Sequence, residues 1–234
     1  MNKNIEIMIK LQDYWTLVVN SLSAVERFKK DIQYLQDKLK EHEKNYAEFS
    51  GTLTKRKQTI KEKEALLSEL DQKIKKLDKR KDLFKTQREV EAFQSELNEV
   101  KRESGILEDE LISLMDILAE EENSLGDMTK EIENLRSDTV DSMDKLSADI
   151  KINEEAAALN KEKYDMLLGG LDAAHLQRFD RLLKSKNGKA VGEVQDEVCG
   201  LCNFKVPSHL ATEAIHDDKV VLCTNCGSYI YRLS

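Results

Sequence analysis

Four cysteines, Cys199, Cys202, Cys223 and Cys226, form two C-x-x-C pairs with twenty residues between them, and the chain has no other cysteine. Two residues between sulfurs let one tight turn present both thiolates to the same ion, and amides in that turn can hydrogen-bond to the sulfurs. Two such pairs about twenty residues apart match a tetrahedral four-thiolate zinc site. Gly200 and Gly227 ease the backbone at the turns. "KVVLC" ahead of the second pair and "SYIYRL" after it are β-branched or aromatic and suit short strands. The segment reads as a zinc ribbon holding one structural Zn2+ on Cys199, Cys202, Cys223 and Cys226.

Other cysteine chemistries fit less well. A catalytic zinc keeps an open coordination position, and four thiolates leave none. A redox C-x-x-C needs one pair inside an α/β domain. Disulfides suit a secreted chain. About forty residues this poor in apolar side chains depend on the metal to fold. His209 and His216 lie between the pairs; with the shell filled by sulfur they are expected at the surface. No G-x-S-x-G, P-loop or H-E-x-x-H occurs, so no enzyme is expected.

The elements ahead of this module are of another kind. Of 234 residues 35% are charged and 6% aromatic, and the single proline is Pro207. That bias marks long helix or coiled coil. The start, "MNKNIEIMIKLQDYW", has no basic segment followed by an apolar core, and no stretch approaches a membrane span. A cytoplasmic protein is expected. Net charge is −8, which argues against a nucleic-acid binder over the chain as a whole. The charge is unevenly placed. Residues 73–88 carry eight basic residues against Asp78 and Asp82, whereas residues 103–149 carry fifteen acidic against three basic.

From Phe28 an apolar series runs in alternating steps of four and three: Ile32, Leu35, Leu39, His42, Tyr46, Phe49, Leu53, Arg56, Ile60, Lys63, Leu67, Leu70, Ile74, Leu77. A second runs Val90, Phe93, Leu97, Val100, Ser104, Leu107, Leu111, Leu114, Leu118, Glu121, Leu125, Met128, Ile132, Leu135. Each is a sustained 3.5-residue repeat, the signature of a left-handed coiled coil. The two registers do not join; the break lies between Phe84 and Val90. Thr86 and Glu89 sit at the break with capping-box spacing.

The chain is therefore expected to fold back there. Residues 1–168 form an antiparallel coiled-coil hairpin with its turn near 85–88. Helix one covers about 5–84 and helix two about 87–165, each about 120 Å long. Antiparallel packing brings Lys55, Arg56 and Lys57 near Asp116 and Glu120–Glu122, and Leu35 opposite Arg136. A parallel dimer of one continuous helix would instead set like charges side by side and leave the register break unexplained. At the tip, Lys79, Arg80, Lys81, Lys85 and Arg88 offer a docking point for an acidic partner or a phosphate backbone. Residues 169–190 read as a hinge at Gly169-Gly170 and a short amphipathic helix with Leu176, Phe179, Leu182 and Leu183 on one side, ended by Gly188; residues 191–234 are the ribbon. The fold class is mainly α, a long antiparallel coiled-coil helical hairpin plus a small C-terminal zinc-ribbon domain.

Two stretches carry a resemblance. "FKTQREVEAFQSELNEVK" is similar to the turn motif, K-T-N-K/R-E-Y, of a bacterial family of long coiled-coil hairpin proteins with a C-terminal four-cysteine zinc ribbon. "GKAVGEVQDEVCGLCNFKVPSHL" with "LCTNCGSYIY" resembles that family's ribbon. Where the family usually has Asn and Tyr, this chain has Gln87 and Val90. The resemblance implies a non-enzymatic scaffold or adaptor for protein partners. The family has been linked to the sigma-54 transcription factor, to flagellar and type III secretion components, especially the regulator of the export ATPase, and in some members to RNA. A nucleic-acid regulator using the ribbon or the basic tip is the alternative reading. The sequence is compatible with a monomer or a dimer.

Overall fold

Both apolar series become helices. The computed structural model describes residues 1–80, 86–216 and 219–233. Helix α1 spans Lys3–Asp78 and α2 spans Gln87–Leu168. Every residue of the first series is buried or half-buried, including His42, Arg56 and Lys63. So is every residue of the second except Val90, which is 43% exposed. No helix among the described residues is long and apolar enough to cross a membrane.

The chain forms two compact units: Tyr34–Asp141, and Met1–Gln33 together with Ser142–Ser234. In the first, Leu77 packs with Phe93, Leu97 and Val100, and Ile60 packs with Leu107 and Leu111. Falling numbers on α1 meet rising numbers on α2, so the helices are antiparallel. The polar seam positions are matched to one another. Arg56 donates twice to Glu121, at 2.7 and 2.8 Å. Lys57 pairs with Glu122 at 2.6 Å and Lys63 with Glu110 at 2.5 Å. The first two pairs are among the expected charge partners for the basic run at 55–57. Arg56 and Glu121 are only a quarter or less exposed, so loss of one would leave the other desolvated without compensation.

Two expectations are corrected. Helix α1 ends at Asp78, ahead of the expected 84. Leu77 is its last seam residue with a packing partner, and Lys75 and Lys76 in the last turn complement the negative end of the helix dipole. The connection thus starts at Lys79, with the Arg80 amide donating to the Leu77 carbonyl at 2.9 Å. The register also differs. Arg136 pairs with Glu43 at 2.7 Å, not with the neighbourhood of Leu35, a shift of about eight residues or ~12 Å. Nearer the tip Leu77 with Phe93 and Ile60 with Leu111 keep the expected offset, so the offset grows along the helix pair, and the seam spacing of each helix taken alone does not fix it. Spin labels at Glu43 and Arg136, in samples diluted with unlabelled protein, are expected closer than labels at Leu35 and Arg136. The reverse order would refute this register. The labels remove one exposed ion pair, which costs no more than about 1 kcal/mol.

In the second unit, compactness cuts across the sequence-based division into 1–168, 169–190 and 191–234. The chain turns at Gly169-Gly170 into α3, Ala173–Ser185. Phe179, Leu182 and Leu183 of α3 are buried, whereas Leu176 lies at the exposed edge of its apolar face. Gly188 closes the helix with φ +83°, its amide donating to the Leu183 carbonyl at 2.8 Å. A Cβ there would also come within 3.2 Å of the Trp15 ring, so glycine serves both the turn and the contact.

Then follow β1 (Val191–Gln195), β2 (Val198–Cys199), α4 (Ser208–Glu213), β3 (Val221–Leu222) and β4 (Tyr229–Tyr231), with sheet order β2-β1-β4-β3. The β1–β2 and β3–β4 pairs are antiparallel and β1–β4 is parallel. One core joins Ile5, Met8 and Leu11 of α1 and Tyr164 of α2 to Phe179 and Leu183 of α3, Val191 of β1 and Tyr229 of β4. The ribbon therefore shares its core with the helix ends. Its strands are too short to bury one face by themselves, and the helices cover it.

Candidate metal centre

A second core, beside the shared one, surrounds the cysteines: Val194, Val206, Ala211, Val221 and Ile230 pack with Cys199 and Cys223. The two C-x-x-C turns have the same construction. The Cys199 amide donates to the Phe204 carbonyl at 3.0 Å, and the Cys223 amide to that of Ser228 at 2.8 Å. The Asn203 amide returns to the Cys199 carbonyl, and the Gly227 amide to that of Cys223, both at 2.9 Å. Asn203 and Gly227 hold φ of +56° and +68°. The left-handed residue after the second cysteine is thus glycine in one turn and asparagine, the side chain that best tolerates this region, in the other.

The four sulfurs lie within 4.8 Å of one another. Cys199 and Cys226 are 4.0 Å apart and Cys202 and Cys223 3.8 Å, sulfur to sulfur. A tetrahedral ion with metal–sulfur bonds of about 2.3 Å needs sulfur separations of about 3.8 Å, so the cage fits it. A disulfide needs about 2.05 Å, and all four thiols are free. Amides of Leu201 and Cys202 point to the Cys199 sulfur, and those of Asn225 and Cys226 to that of Cys223. The Asn225 side chain reaches the Cys202 sulfur at 3.7 Å.

The thiols are held unequally. Burial pushes the Cys199 thiol up to about 12 and raises Cys223 as well. At Cys226 burial acts in the same direction, but hydrogen bonding by Ser228 and by the Cys202 and Cys223 thiols together prevails and brings the thiol down to about 6. A buried thiol such as Cys199 gives up its proton when a cation takes its place, so capture of a metal by these cysteines would release protons and weaken in acid.

The donor set is complete with sulfur. His209 and His216 are exposed and stand outside the sulfur cluster. Lys186 and Ser228 also touch the cage, and the sequence offered no sign of them. Lys186 Nζ donates to the Cys226 carbonyl and, at 2.8 Å, to Ser228 Oγ.

Around the end of α1 and the start of α2, Lys79, Arg80 and Arg88 are exposed. Lys81 and Lys85 lie outside the described residues. The Glu89 amide donates to Thr86 Oγ1 at 3.3 Å, and the Thr86 amide donates to Glu89 Oε2 at 3.1 Å. That reciprocal pair is a capping box at the start of α2.

No family model matches the chain, and no curated protein matches it. Solved structures do. The structure of CT398 from Chlamydia trachomatis matches with a TM-score of 0.86 at 19% identity, covering 98% of this chain and 97% of that one. A protein from Mycobacterium smegmatis matches at 0.64 and 19% identity, covering 99% and 100%. The HP0958 protein of Helicobacter pylori matches at 0.57 and 16% identity, covering 99% and 98%. At these identities the likeness is one of fold.

Proposed function

We propose that the protein is a non-enzymatic scaffold whose ribbon is built around one structural zinc ion and whose exposed surfaces dock protein partners. The observation that carries this reading is the closed sulfur cage. Four cysteine sulfurs converge within 4.8 Å, and a centre filled by four thiolates has no place for a substrate or an activated water. Cys199, Cys202, Cys223 and Cys226 would hold the ion, and its role is to cross-link two turns that have little core of their own. A tetrahedral set of four thiolates suits zinc.

The resemblance to the hairpin and zinc-ribbon family supplies the partner classes: sigma-54 and the regulator of the export ATPase. The basic tip, with Lys79, Arg80 and Arg88, is the proposed docking point. Metal analysis of purified protein is expected to give about one zinc per chain, with four sulfur neighbours and no oxygen by X-ray absorption. An oxygen neighbour would overturn the structural role. Capture experiments with the full chain are expected to recover a sigma-54 or export-regulator partner. The triple variant Lys79→Glu, Arg80→Glu, Arg88→Glu is expected to lose that partner with its zinc content unchanged. Recovery of neither partner by the native chain would overturn these assignments.

A further inference from the structure

Four thiolates around a divalent cation carry two net negative charges, and a charge held in a buried site needs compensating charge or hydrogen bonds. Among the described residues, a cationic side chain hydrogen-bonds to the second cysteine turn and none to the first. At the first turn the nearby cation, Lys205, is pulled away to Glu197 at 3.6 Å and is largely exposed. At the second turn two cations arrive from α3 and its C-cap. Arg178 Nη2 lies beside Gly227, 3.6 Å from where a Cβ would stand. Lys186, the C-cap residue of α3, donates to the Cys226 carbonyl and to Ser228 Oγ.

The second of those bonds fixes a proton. An ammonium group only donates, so Ser228 Oγ must accept from Lys186. The Ser228 hydroxyl hydrogen is then left to point elsewhere, and Ser228 is fully buried, 0% exposed. Ser228 follows Cys226 by two residues, at the close of the second cysteine turn, where its carbonyl accepts from the Cys223 amide at 2.8 Å. Lys186 thus brings positive charge from the end of α3 onto the second cysteine turn through two hydrogen bonds.

Resting on the reading of the four cysteines as a metal centre, we propose that Lys186 is a positioning residue of that centre. Through its bonds to the Cys226 carbonyl and Ser228 Oγ it offsets the charge of the cage and slows loss of the metal. Helix α3 is then part of the metal site and not only the link leading to it.

The test uses the full-length, zinc-loaded chain and a chromogenic chelator in excess. Lys186→Met and Ser228→Ala are each expected to speed zinc transfer by about 10–100-fold, the usual effect of outer-sphere partners. The double variant is expected to be no faster than the faster single, because both remove the contact between Lys186 and Ser228. Lys186→Arg is expected to stay within a few-fold of the wild type. With Co2+ in place of zinc, the sulfur-to-cobalt charge-transfer band is expected to shift in Lys186→Met and in Ser228→Ala, a signature that packing damage alone would not produce. Should Lys186→Met fail to fold, Lys186→Gln, which keeps a donor and removes the charge, gives the same readout. Transfer rates and bands equal to those of the wild type would overturn the proposal. A wild-type chain that takes up no zinc would overturn the metal reading itself, a different result from a loaded centre indifferent to Lys186.

Discussion

Replacing Cys199 with serine is expected to abolish hydrogen-exchange protection over residues 191–231 and to lower it over residues 3–33 of α1, while residues 34–141 keep theirs. The first part follows from the size of the ribbon. Its strands are two to five residues long, and the core around the cysteines is small. On the proposed reading of the four cysteines as a metal centre, such a module depends on the ion they hold. The second part follows from the shared core. Val191 and Tyr229 of the ribbon are buried against Met8, Leu11 and Tyr164. When the strands melt, those helix residues lose their cover. Re-exposing each large side chain forfeits about 2–3 kcal/mol. The third part follows because Leu77 with Phe93 and Ile60 with Leu107 lie in separate clusters of the other unit. Most of the helical circular dichroism should therefore persist. Loss of protection confined to 191–231 would contradict the shared core, and loss along all of α1 and α2 would contradict the division into two units.

The other large effect is expected at Gln12. Its Oε1 accepts from the amides of Ala190 at 2.6 Å and Val191 at 2.7 Å, and its Nε2 donates to the Val191 carbonyl at 3.1 Å. One side-chain amide thus pairs three main-chain groups at the head of β1, where Ala190 and Val191 are 0% and 2% exposed. It behaves as a short extra strand supplied by a helix. Gln12→Ala leaves those groups unpaired at about 1–3 kcal/mol each, and water entering the gap recovers part of that. A net loss of about 3 kcal/mol is expected. Trp15 is the only tryptophan and lies in the same unit, 5.6 Å from the Tyr164 ring, so its fluorescence during urea unfolding reports on this unit. Gln12→Glu keeps both acceptor bonds and loses the donor, and is expected to lie between the wild type and Gln12→Ala. A Gln12→Ala midpoint equal to that of the wild type would show that the contact carries no net stability.

Much of this protein is local in origin, and those parts were legible. The seam from Phe28 to Leu77 and that from Phe93 to Leu135 are periodic along one helix each, and burial follows them residue by residue. The capping box needs only Thr86 and Glu89. Each cysteine turn is closed within a few residues, and its thiol spacing alone implies a four-sulfur cage. In all these cases the partner of a residue is set by its distance along the chain.

The tertiary structure decided the rest. Gln12 lies 178 residues from Ala190 and Lys186 lies 42 from Ser228; neither differs in type or spacing from any polar residue on a helix. The end of α1 at Asp78 depends on where Phe93 packs, and the pairing of Glu43 with Arg136 on how the offset between the helices grows away from the tip. The sequence by itself determined the helices, their seams and the four-sulfur set, because periodicity and short turns are written locally. Only the tertiary structure decided the helix register, the shared core and the side chains that brace the cage, because each is a choice between partners that local spacing leaves equivalent.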